Sequence, residues 1–212
     1  MKRTLLLLLV VFIAGSLRAQ SLDLPAPQKS GGLPLMDALA KRSTARAFDS
    51  KALSPQQLSS LLWAAFGINR PDGKRTAPSA HNYQETDIYV LLKSGAYVYN
   101  AKSNKLDLVV AEDIRALGGT QAFVKDAPVT LVFVADLSRM NKGSNEEKMN
   151  TAHIDVGYIS QNVYLFCASE GLVTGARMSV DKAALGPKIK LSPDEAIILA
   201  QSVGYPKTSK GE

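Results

Sequence analysis

The stretch NEEKMNTAHIDVGYISQNVYLFCASEGL, residues 145–172, constrains the fold more than any other part of the chain. Met149, Ala152, Val156, Ile159, Val163 and Phe166 recur at helical spacing, and Gly171 supplies a stop. A helix this long must lay its apolar stripe on something broad. PVTLVFVAD (128–136) and EAIILAQSVGYP (195–206) are continuous β-rich runs of the kind that form buried strands. DIYVLLKSGAYVYNAKSNKLDLVV (87–110) alternates and breaks twice at turn residues, which predicts three consecutive antiparallel strands. In SPQQLSSLLWAAFGIN, Ser54 is an N-cap, Pro55 sits in the first turn, and Leu58, Leu61, Leu62 and Ala65 share one face before Gly67. PLMDALAKRST reads as a shorter helix with Pro34 near its first position, and AEDIRALGGTQAFVKDA as helical in part. Helices, an antiparallel meander and buried strands together predict an α+β domain.

The first nineteen residues read as a secretory signal rather than as part of that domain. Lys2 and Arg3 precede an unbroken apolar run from Leu5 to Ala14, and SLRAQ allows cleavage after Ala19. The run is short for a membrane span, although an uncleaved anchor is the alternative. The expectation is therefore a bacterial protein exported to the periplasm, with no stable membrane span once the signal is cleaved. Residues 20–33, rich in Pro, Gly and Ser, read as a flexible lead-in, and residues 34–212 as the domain. The single cysteine, Cys167, forms no internal disulfide and lies in an apolar helical pattern, as a buried structural thiol would. Loss of Lys2, Arg3 and Arg18 takes the formal charge from +6 to about +3, and the remaining basic residues are scattered. Nucleic-acid binding has little support from that pattern.

Motifs for acid–base, nucleophilic or metal catalysis are scarce. There is no nucleophile elbow, P-loop, G-x-G-x-x-G or H-E-x-x-H, and His81 and His153 are the only histidines. Three other segments stand out. KRSTARAF (41–48) sets Arg42, Ser43, Thr44 and Arg46 within five residues, a set suited to phosphate or carboxylate. RTAPSAHNYQ (75–84) joins a helix to a strand and carries Pro78, Ser79 and Asn82. TGARMSVD (174–181) puts small residues beside Arg177 and Met178, as a backbone lying against a flat ligand requires.

In this order, with the 155–172 helix and the final VGYP, these segments resemble the nitroreductase family of FMN enzymes. The stretch LLWAAFGINR…RTAPSAHNYQ is most similar to the branch that includes the thiazole/oxazole-forming dehydrogenases. The resemblance covers nearly all of the chain beyond the signal. It implies a central, mainly antiparallel sheet flanked by helices, in a two-fold homodimer with flavin at the interface. It implies that Arg42, Ser43 and Thr44 bind the FMN phosphate, with Thr44 in place of the family's Ser, and that Arg46 lies near the pyrimidine edge. Pro78, Ser79 and Asn82 match the segment that reaches across to the partner's flavin. Gln121 matches an amide at the flavin's polar edge, and Met178 and Ser179 match the stretch whose backbone addresses N5. Met178-Ser179 departs from the family's frequent Glu-Gly, and Lys207 and Lys210 are the only basic residues after the last strand. Of these Lys207 is the candidate phosphate contact. The implied activity is hydride transfer to or from a small organic substrate, such as a nitro compound or quinone. NAD(P)H is a candidate donor, an azoline-type substrate oxidation is one alternative, and non-catalytic flavin binding is another.

Overall fold

The computed structural model describes residues 21–207; the segment read as a signal and Lys210 lie outside the described residues. Seven strands form one sheet in the order β1-β4-β3-β2-β5-β7-β6, every pair antiparallel. They are β1 (Leu22–Asp23), β2 (Thr86–Leu92), β3 (Gly95–Asn100), β4 (Lys105–Val110), β5 (Val129–Asp136), β6 (Val173–Arg177) and β7 (Glu195–Gly204). The helices are α1 (Leu35–Lys41), α2 (Pro55–Phe66), α3 (Asn145–Ser169) and α4 (Lys182–Lys188). The meander and both long helices stand where their periodicity places them.

Each long helix starts on a capping box. Ser54 accepts from the Gln57 N–H while the Gln57 side chain takes the Ser54 N–H, and Ser144 and Glu147 repeat the exchange. Gly171, at φ 68°, ends α3, and the following Leu172 N–H returns to the Cys167 carbonyl at 2.9 Å.

Helices α2 and α3 cover one face of the sheet, meeting Ile88, Val90, Leu131 and Phe133. The other face carries Tyr89, Leu91, Val132 and Val134, and is covered by α4 and by Ile114. Burial on both faces explains why β5 is apolar without alternation. Cys167 is buried in the first core, and burial pushes its thiol up, away from reactivity.

Residues 21–33 are not the free linker that their composition suggests. Strand β1 pairs with β4, the Pro25 carbonyl accepts from Ser59 and Asn104, and the Gln28 N–H donates to Ser60 at 3.0 Å. The Leu33 N–H then donates to Ser169 Oγ at 2.7 Å. Side chains of α2 and α3 thus hold as a strap a stretch with little apolar surface of its own. Among the described residues, no helix is long and apolar enough to cross a membrane.

Candidate functional site

Helix α1 ends at Arg42, whose N–H still bonds the Ala38 carbonyl while its own backbone turns extended. The chain then runs along the outer edge of β6. The Ala45 N–H donates to the Thr174 carbonyl at 2.9 Å, and the Ala45 carbonyl fills the space a Cβ would need at Gly175. This is why the edge strand carries glycine at that point. Tyr164, from α3, secures the junction: its hydroxyl lies 3.1 Å from Thr44 Oγ1 and accepts the Ala176 N–H at 3.0 Å. The Arg42 guanidinium stands 5.5 Å from the Tyr164 ring centroid.

Phe48 pairs antiparallel with Pro206, and the Asp49 N–H donates to the Tyr205 carbonyl at 3.0 Å. The register sets Lys207 beside the residues just before Phe48. Arg42, Ser43, Thr44, Arg46 and Lys207 therefore share one strip. Arg42 is half-buried and the others exposed, and among the described residues no carboxylate pairs with the three cations.

Strand β6 leads from this strip to a second cluster. The Thr120 N–H donates to the Ser179 carbonyl at 3.0 Å, and the Gln121 amide N–H donates to Ser179 Oγ. Gln121 Oε1 is buried with no partner, an acceptor left for an N–H that the chain does not supply. Met178 beside it is 61 % exposed.

Pro78, Ser79 and Asn82 are not brought to these clusters within one chain. Their loop docks on the first half of α3, where the Ala80 N–H donates to Asp155 Oδ2 at 2.9 Å. From Asp155 to Tyr164 the helix advances about 13 Å. The loop is held in a strained form, with His81, Asn82 and Gln84 at φ of 50°, 56° and 49°. Its own bonds fix it there: Ser79 Oγ accepts the Gln84 N–H, Asn82 Oδ1 accepts from the Gln84 amide, and Arg75 Nε donates to Gln84 Oε1 at 2.7 Å.

Beneath the loop, Glu85 is fully buried and Asp155 nearly so. Burial raises both carboxyls above their ordinary range. Glu85 Oε2 is buried with no hydrogen-bond partner, while Glu85 Oε1 accepts from Thr86 Oγ1 at 3.2 Å.

Tyr164, Glu85 and Asp155 have no sequence signal of their own, because their partners come from distant segments. His153 Nδ1 meets the carbonyl of Met149 at 2.6 Å, a contact within its own helix.

Residues 39–205 match the nitroreductase family, and the chain belongs to that family of oxidoreductases. A protein of Methanocaldococcus jannaschii classed with the nitroreductases is 31% identical over 152 residues, 67% of this chain and 77% of that one. A Ralstonia eutropha protein classed likewise, known from its crystal structure, is 38% identical. It superposes with a TM-score of 0.85 over 89% of this chain and 90% of its own. The NADPH:FMN oxidoreductase of Vibrio harveyi, solved complexed with NAD+, has a TM-score of 0.63 at 19% identity. That match covers 82% of this chain and 69% of the other, and at such identity it is a likeness of fold.

Proposed function

We propose that the protein is an FMN-dependent oxidoreductase acting as a two-fold homodimer on a small organic substrate such as a nitro compound or quinone. The observation that carries this reading is the basic strip of Arg42, Arg46 and Lys207, connected by β6 to the unsatisfied Gln121 Oε1. Arg42, Ser43, Thr44 and Lys207 would hold the phosphate, and Arg46 would lie at the pyrimidine edge. Gln121 Oε1 would accept an N–H from the ring, and the backbone at Met178 and Ser179 would address N5. Once bound, FMN supplies hydride transfer at N5, which accords with a chain poor in acid–base side chains. The residues here bind, orient and set the local charge.

Dimerisation is supported by the face of α3 turned away from the sheet, where Ile154 and Tyr158 are 60% and 49% exposed. A partner seated there would bring its own Pro78, Ser79 and Asn82 toward this chain's strip. A second reading, oxidation of an azoline-like substrate, rests on the sequence resemblance of LLWAAFGINR…RTAPSAHNYQ. Export to the periplasm is part of the proposal, resting on the N-terminal sequence.

The test is an absorption spectrum of the purified protein before and after FMN is added, followed by anaerobic addition of NAD(P)H or an organic donor. Bleaching by NAD(P)H, with recovery on adding a nitro compound or quinone, is expected. Bleaching by an organic donor alone favours the second reading, and bound FMN without turnover makes the protein a flavin carrier. A colourless protein that takes up no FMN overturns the proposal.

A further inference from the structure

Arg177 ends β6 with its side chain turned inward, 8% exposed. Its Nε donates to the Gly118 carbonyl at 2.9 Å, and Nη1 donates to Ser202 Oγ at 3.0 Å and to the Gly175 carbonyl at 3.4 Å. Nη2 is buried with no partner. The side chain passes where Gly119 lacks a Cβ; any larger residue there would occupy the position of Nε. Phe123 lies 5.9 Å from the guanidinium carbon. Every acceptor is neutral, and no described carboxylate pairs with Arg177, whereas buried cations are ordinarily paired. Burial lowers its pKa to about 10, so the group stays charged at neutral pH.

The location of this charge gives it meaning. Arg177 directly precedes Met178 and Ser179, and the Gly118 carbonyl it holds begins the segment that ends at Gln121. We propose that Arg177 is a positioning residue whose uncompensated charge, held behind segments 118–121 and 178–179, favours negative charge on the flavin ring those segments address. The inference rests on the FMN reading above. Arg177 does not touch the reacting atoms; it sets how readily N5 accepts a nucleophile or hydride.

Sulfite reads this property without turnover. Its sulfur lone pair forms a bond to N5 of oxidised flavin, and the ring electron pair so displaced leaves negative charge at the N1–C2 carbonyl region. No oxidant or leaving group is involved, and the visible band bleaches. With FMN affinity measured separately, Arg177→Gln should weaken sulfite binding about tenfold or more, the effect of losing one nearby opposite charge. The flavin's midpoint potential should fall with it. Arg177→Lys, which keeps the charge but not the planar fork, should stay within about threefold of the original protein. Should Arg177→Gln fail to fold, Ser202→Asp places a carboxylate against Nη1 and should weaken sulfite binding in the same way. Wild-type sulfite affinity in the Gln or Asp variant overturns the proposal, as does an equal loss in Gln and Lys, which would mark a role in shape alone. If the unaltered protein takes up no FMN, the cofactor reading itself has failed and this inference falls with it.

Discussion

Two loops dock on α3 by opposite chemistry. At Tyr164, segment 43–46 is held by a phenol hydroxyl, backbone bonds and a guanidinium over a ring. About 13 Å along the same helix, loop 77–84 is held by Asp155 above the buried Glu85. The second attachment sets two buried carboxyls, both raised by burial, beneath the loop. The comparison teaches that one helix can anchor one loop through a neutral hydroxyl and another through a buried acid.

The largest effect should come from removing the acid at the second attachment. Asp155→Ala leaves the part-buried Ala80 N–H without its charged acceptor and should cost about 3 kcal/mol in urea unfolding. A loss below about 1 kcal/mol would mean the loop is held mainly by its own bonds. Next, Arg42→Ala should weaken FMN binding by about 2 kcal/mol, the worth of a charge-assisted contact. Fluorescence titration checks this, and unchanged affinity would remove Arg42 from the phosphate site. Tyr164→Phe keeps the ring under Arg42 but strands the Ala176 N–H, and should cost about 1 kcal/mol in thermal unfolding.

Glu85→Gln should change stability least at any single pH, yet it separates the two attachments most cleanly. The Glu85 pKa is raised in the folded state, first by burial, from an ordinary value of 4.5. Its stabilising contribution is therefore complete below that ordinary value and is lost as pH rises through the folded one. Melting temperatures measured from pH 4 to 8 should decline with pH more steeply in the original protein than in Glu85→Gln. Parallel curves would show that the pair has no influence on stability. The Tyr164→Phe curve should run parallel to that of the original protein.

The contrast also marks how far sequence reading reaches. Helices α2 and α3 are legible because cap, stripe and stop all lie within each segment. The meander β2–β4 is legible because its turns are local. Strand β6 is not: VTGAR lacks a strand pattern, and pairing with β7 and docking of Ala45 make it extended. The strap at 21–33 is hidden for the same reason, since Ser59, Ser60, Asn104 and Ser169 hold it from far along the chain. Within the site, Arg42 to Arg46 are legible as a cluster of adjacent residues. Glu85 with Asp155, and Arg177 with Gly118, become pairs only when the sheet brings them together.

Early parts of the chain lie on both margins of the sheet: β1 pairs with Lys105 and Leu106 of β4, and segment 43–48 runs along β6 and the C-terminal stretch. An uncovered strand margin is a template for another molecule. Both covers depend on strands formed much later in the sequence, so a partly folded chain exposes both margins until the last contacts close. Refolding yield should therefore fall as protein concentration rises.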